Sequence, residues 1–88
     1  MTLSPAPELG EGAIATDVRC DDRSLHVILA DGRELSVPLA WFPGLLRATP
    51  DQRDNWRLIG GGQGIHWADV DEDLSVAGLL RGERPAER

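Results

Sequence analysis

The stretch Gly60–Asp73 reads GGGQGIHWADVDED, and it gathers most of the residue types in this chain that do chemistry. Four glycines in five residues give a backbone able to wrap an anion. His66 beside Trp67 adds an imidazole, and Asp69, Asp71, Glu72 and Asp73 put four carboxylates within five positions. A phosphate loop needs such glycines with a helix start directly behind them, and usually a lysine. Here there is no lysine, IHW reads as extended, and the nearby acids repel phosphate. GGGQG is therefore expected to be a glycine-rich turn, where glycine supplies positive φ.

Metal chemistry fares no better. Asp69-x-Asp71-x-Asp73 has the opening spacing of a calcium loop, but that loop needs Gly at its sixth position and Glu at its twelfth. Those positions are Leu74 and Leu80. His66 with Asp69 or Asp71 lacks a second His or Cys at zinc-ligand spacing. For catalysis, Cys20 falls on an apolar strand face, where a thiol is usually inert, and no serine has a base and an orienting acid in a local motif. No catalytic residue, metal ligand or cofactor is expected. The acids have a structural reading, as the lead-in to a helix N-terminus whose dipole favours them. They also have a binding reading. Aromatic residues beside charge are typical interface anchors, so the expected interaction residues are Trp41, His66, Trp67, Asp69, Asp71, Glu72 and Asp73, with Trp56 expected in the core.

The elements that must position these residues follow from periodicity. IATDVRC alternates, with Ile14, Thr16, Val18 and Cys20 assigned to one face and Ala15, Asp17 and Arg19 to the other. SLHVILA points Leu25, Val27 and Leu29 inward, and RELSVPL does the same with Leu35, Val37 and Leu39. Three strands this close in sequence make an antiparallel meander. A two-residue turn at Asp31-Gly32 would put the apolar faces of strands two and three on opposite sides of the sheet, which register forbids. A three-residue loop, Ala30-Asp31-Gly32, pairs Val27 with Leu35 and Leu25 with Val37. A type I turn with a bulge is expected, with Gly32 left-handed. The same parity sets Cys20 opposite Leu25 and Val18 opposite Val27.

Beyond the meander, Pro43 suits a first helical turn, with Leu45 and Leu46 on its apolar side. Thr49-Pro50-Asp51-Gln52 restarts the helical signal as a capping box, so two short helices should meet at Thr49. WRLIGG and GIHW read as a short second hairpin around the glycine turn. LSVAGLLRG reads as a helix capped by Ser75, with Leu79 and Leu80 toward the core and Gly82 as its stop. The expected fold class is α+β: a small antiparallel sheet, made of a three-strand meander plus a short second hairpin, with short helices packed on one face.

Composition bounds the function. The chain has 88 residues and a formal net charge of −6, with hydrophobic residues at 41% and charged residues at 27%. One domain is expected over 13–81, between a loose arm at 1–12 and a frayed tail at 82–88. The negative charge opposes nucleic-acid binding, which needs cations to displace counterions, and suits a basic protein partner. No apolar run is long enough for a membrane span, and the N-terminus lacks the basic start and apolar middle of a secretory signal. The single cysteine fits a reducing compartment, so a cytoplasmic location is expected. All cationic residues are Arg, as a GC-rich bacterial genome would encode them. An open sheet edge raises the expectation of a homodimer.

The segment from Ala13 to Leu80 resembles the bacterial family known as domain of unknown function 2442. The resemblance is carried by Asp31-Gly32, Phe42-Pro43 with Leu45 and Leu46, Trp56 to Gly60, and above all GIHWADVDEDLSVAGLL, with Ala68 where relatives usually have Pro. It implies the α+β domain already argued, and no reaction. It also implies a small basic protein encoded alongside, in an arrangement similar to toxin–antitoxin pairs. Longer relatives carry a C-terminal helix-turn-helix, which this sequence, ending at Arg88, is expected to lack. The resulting expectation is a non-enzymatic interaction module, an acidic antitoxin-like partner of a small basic protein. The alternatives are a ligand- or metal-binding module using His66–Asp73, and a small hydrolase.

Overall fold

A computed structural model of the chain describes residues 13–82. The expected arm at 1–12 and all but Gly82 of the expected tail lie outside the described residues. Six strands and three short α-helices form two antiparallel sheets: β1 (Ala15–Cys20), β2 (Ser24–Leu29) and β3 (Glu34–Pro38) in one, β4 (Trp56–Ile59), β5 (Gly64–Trp67) and β6 (Glu72–Ser75) in the other, each in sequence order. Helices α1 (Pro43–Leu46) and α2 (Pro50–Asp54) lie between the sheets in sequence, and α3 (Val76–Leu80) follows β6. The α+β class holds.

The meander has the register that parity demands. Cys20 faces Leu25 and Val18 faces Val27 across the first hairpin, and Val27 faces Leu35 and Leu25 faces Val37 across the second. The Ala30-Asp31-Gly32 loop is a bulged turn. Gly32 N donates to Leu29 O at 2.9 Å and Leu29 N to Arg33 O at 2.8 Å, with Gly32 at φ +94. Ala30 N instead donates to Ile14 O.

The first strand corrects the simple alternation. Pairing steps from Ala15–Leu29 to Asp17–Ile28, so Thr16 is an extra residue. The bulge inverts the parity upstream of it: Ala15 and Val18 are both buried, Thr16 is exposed and Ile14 is half-buried. A bulge has exactly this consequence of two residues facing one, and no residue in IATDVRC signals it.

The helices join at Thr49 with both halves of the capping box formed: Gln52 N donates to Thr49 Oγ1 and Thr49 N to Gln52 Oε1. Leu45 is buried, but Leu46 is exposed, because a single helical turn cannot aim consecutive residues at one core. Ser75 caps α3 by accepting from Gly78 N, and Gly82 stops it at φ +79.

The second sheet departs furthest from expectation. GIHW pairs with WRLI as expected, but EDLS, expected within the helix lead-in, is a third strand against β5. The core lies on the inner faces of both sheets and includes Val18, Leu25, Val27, Val37, Phe42, Leu45, Ile65, Trp67 and Val76. The glycine turn seals the sheets together. Gly60, Gly61 and Gly62 have φ of 61, 68 and 97. A Cβ on buried Gly62 would fall 2.6 Å from Ala15 O and 2.6 Å from Ile14 Cγ2. GGGQG is thus a turn, and its third glycine lets β1 approach closely.

Candidate functional site

Register sorts the candidate residues. The cross-strand row Arg57–His66–Asp73 lies on the outer face of the second sheet, and the next row, Trp56–Trp67–Glu72, on the inner face. His66 Nδ1 and Asp73 Oδ1 hydrogen-bond directly. Trp67 is fully buried and its indole Nε1 donates to Arg53 O at 3.0 Å. Its assignment to a binding surface is corrected: it is a core residue that ties β5 to α2. Trp56, expected in the core, is only half-buried at its margin.

The acids are not a helix lead-in. Residues 68–71 form the β5–β6 turn, closed by Asp71 N donating to Ala68 O, with Asp71 at φ +54. Asp69 Oδ2 accepts from Asn55 Nδ2 at 2.9 Å. Glu72 and Asp73 are the first residues of β6. Glu72, beside Trp67 on the inner face, is half-buried; burial raises its carboxyl pKa, and the neighbouring charges of Asp73 and Asp71 raise it further. Its carboxylate lies against α1, where a Cβ on Gly44 would be 3.3 Å from Glu72 Oε1 and 4.0 Å from Val70 O.

That contact brings the segment containing Trp41 to the acidic turn. Pro38–Leu46 reads PLAWFPGLL and contains no charged residue. Phe42 and Leu45 anchor it in the core, while Pro43 and Leu46 are exposed and Trp41 is half-buried. The Trp41 and Phe42 rings meet edge-on at 6.4 Å and 62°. The candidate set therefore splits: Glu72 meets Gly44, three residues along the chain from Trp41, while Asp69 and Asp71 lie in the adjoining β5–β6 turn; His66 is with Asp73 on the outer face; Trp67 is in the core. Arg53, which could have offset the acids, instead donates from Nε to Leu45 O and from Nη2 to Leu46 O, satisfying the end of α1. Among the described residues no arginine forms an ion pair with Asp69, Asp71, Glu72 or Asp73.

A second polar cluster escaped sequence reasoning. On the outer face of the first sheet, His26 Nδ1 is 2.8 Å from Ser36 Oγ and 3.3 Å from Glu34 Oε2, and His26 Nε2 is 3.0 Å from Asp21 Oδ2. Asp21 also accepts from Arg23 N and Ser24 N, and these bonds, with His26, pull its pKa down to about 2. The register itself held the signal, since pairing Val27 with Leu35 sets His26 opposite Ser36. The connectivity is that of a nucleophile, a base and an acid. On a pleated face, however, the backbone N–H groups lie in the ladder and none is aimed at a developing oxyanion. The two acids address opposite ring nitrogens, so they do not converge on one metal position. Among the described residues no group of three or more His, Cys, Asp or Glu side chains is arranged to hold a metal ion. Cys20 is half-buried, and burial, the largest influence, pushes its thiol up to about 11, so it stays protonated at neutral pH. No helix among the described residues is long and apolar enough to cross a membrane.

With this geometry in hand, the comparisons with known proteins are consistent. The family model described as protein of unknown function (DUF2442) matches residues 15–85. A crystal structure of a protein of unknown function from Rhodospirillum rubrum is similar at 31% identity and a TM-score of 0.74, covering 85% of this chain and 93% of that one. A solution NMR structure of an uncharacterised protein from Chromobacterium violaceum is similar at 29% identity and a TM-score of 0.69, covering 83% and 69%. No curated protein matches the chain.

Proposed function

The chain belongs to the DUF2442 family, and from that premise we propose that it is a non-enzymatic interaction module whose acidic turn and adjoining apolar segment bind a small basic protein, in the manner of an antitoxin. The observation that carries this reading is the seating of Glu72 and Val70 against Gly44. It makes one composite surface from an uncharged segment, in which Pro43 and Leu46 are exposed and Trp41 is half-buried, and a rim of carboxylates that no arginine among the described residues ion-pairs. A partner suited to it presents an apolar side chain flanked by Arg or Lys. Such a partner relieves the repulsion among Asp71, Glu72 and Asp73, which, after burial, adds to the rise in the Glu72 pKa. A cytoplasmic setting belongs to the same reading, because the single cysteine needs no oxidising compartment.

The test is binding of the protein encoded beside this one. Affinity should fall as salt rises, because the acidic rim acts through screened charge. Asp69→Asn with Asp71→Asn should weaken binding a few-fold and flatten the salt dependence, each exposed pair contributing about 0.2–1 kcal/mol. Trp41→Ala should cost tenfold or more, as aromatic anchors do. Affinity unchanged by both variants would refute the composite surface.

A further inference from the structure

The backbone of β3 is phased so that half of it faces away from its own sheet. Leu29 N donates to Arg33 O and Leu39 N to Arg23 O, which fixes Val27–Leu35 and Leu25–Val37 as the hydrogen-bonded pairs of the β2–β3 ladder. The peptide groups of Glu34, Ser36 and Pro38 therefore point outward. Among the described residues no backbone group outside the ladders bonds to them. The opposite edge of this sheet, β1, packs beside β4 and α2, so among the described residues β3 is its open edge.

We propose that β3 pairs with the β3 of a second copy of this chain, antiparallel about a two-fold axis at Ser36, to make one six-stranded sheet. In this register Ser36 exchanges two hydrogen bonds with the partner's Ser36. Glu34 N–H donates to the carbonyl of the partner's Pro38, and proline's missing donor falls where only the Glu34 carbonyl would have used it. Leu35, half-buried in the single chain, meets the partner's Val37 on the inner face. Displacing the register toward the turn would put Val37 against the partner's Arg33. Displacing it the other way would put Ser36 against the partner's Pro38 and lose half of the bonds. Charge also selects this edge. Glu34 lies 3.6 Å from Arg19, and Arg33 is 2.8 Å from Asp31, so the β3 edge is locally balanced. Pairing β6 with itself would instead crowd Glu72 and Asp73 of both copies with no arginine between them. A five-residue strand contact is small beside a standard interface, so the dimer is weak and concentration-dependent. Each copy carries a net charge of −6, so added salt strengthens this association, whereas it weakens binding at the acidic turn.

Two measurements test the pairing. By sedimentation equilibrium the native chain should gain mass with concentration, more so at high salt. Ser36→Pro, which removes an outward N–H at an edge position where proline is tolerated, should stay monomeric. Ser36→Ala, which keeps that N–H, should still dimerise. In a Cys20→Ser background, Ser36→Cys should be captured as a disulfide dimer by a mild oxidant, since directly opposed Cα atoms lie about 5.5 Å apart. Asp73→Cys on β6 should not be captured. A native chain that remains monomeric at every concentration, or capture through Asp73→Cys and not Ser36→Cys, would overturn the proposal. Either result would leave the acidic-turn reading standing.

Discussion

Glu72 shows how much one residue's face decides. Its four-acid run looks uniform in sequence, yet Asp73 faces outward to His66 while Glu72 faces inward beside Trp67. Burial first, then Asp73 and Asp71, raise the Glu72 pKa above its ordinary 4.5. A carboxyl whose folded pKa exceeds its unfolded value binds its proton more tightly in the folded state. Its favourable contribution is complete below the unfolded pKa and is lost as pH rises through the folded one. Glu72→Gln should therefore be as stable as the native chain, or more so, at pH 7, and the two should converge as pH falls below about 4.5, in urea melts over that range. Asp21, drawn down to about 2, has the opposite sign: its contribution persists above its unfolded pKa and disappears only as pH falls toward 2. A clear loss of stability for Glu72→Gln at neutral pH would mean that the charged form is held by favourable contacts. The burial of Trp67 was itself legible. Within GIHW, Ile65 and Trp67 share a face by the period of two, so an inward Ile65 carries Trp67 inward; the acids that follow drew attention to the wrong neighbour.

At the level of elements, local chemistry was legible wherever one residue type solves one backbone problem. The Thr49 capping box, Pro50 at the helix start, the Gly32 bulged turn and both hairpin registers all follow from such rules. Two features were not legible. The Thr16 bulge has no composition signature, and β6 contains Glu and Asp, which are depleted in strands. Pairing against β5 overrides that preference. The glycine turn divides along the same line. Positive φ was foreseeable at Gly60–Gly62, but the approach of β1 to Gly62 is a tertiary fact. Gly61→Ala meets nothing within 4 Å and should cost about 1 kcal/mol for its left-handed backbone. Gly62→Ala adds a collision with the Ala15 carbonyl and should cost about 2–4 kcal/mol in all, given overpacking penalties of about 1–3 kcal/mol. Against the roughly 5 kcal/mol typical of a marginally stable small domain, that leaves about 1–3 kcal/mol, so the variant stays mostly folded in water but its urea midpoint falls well below that of Gly61→Ala. Equal urea midpoints for the two variants would mean that β1 yields freely.

The whole molecule is two small sheets with a shared core and a net charge of −6. Self-repulsion opposes folding at low salt, and screening relieves it, so the native chain should gain stability as salt is added. The contribution is not spread evenly. Asp69 is held by Asn55 and Asp73 by His66, whereas Asp71 sits at φ +54 beside two other acids. A like-charge pair 4 Å apart in water repels by about 1 kcal/mol. Asparagine tolerates the left-handed region as well as aspartate does, so Asp71→Asn removes the charge without disturbing the turn. It should raise stability at low salt by roughly 0.2–1 kcal/mol, the range of exposed pairs, and the gain should vanish near 1 M salt, where the screening length shrinks to about 3 Å. Asp73→Asn should show no such gain, because it also weakens the bond to His66. Urea melts of the three proteins at low and high salt decide the matter. If Asp71→Asn loses 1 kcal/mol or more at both salt concentrations, then Asp71 holds the β5–β6 turn together, and the repulsion that a basic partner is proposed to relieve is not there to be relieved.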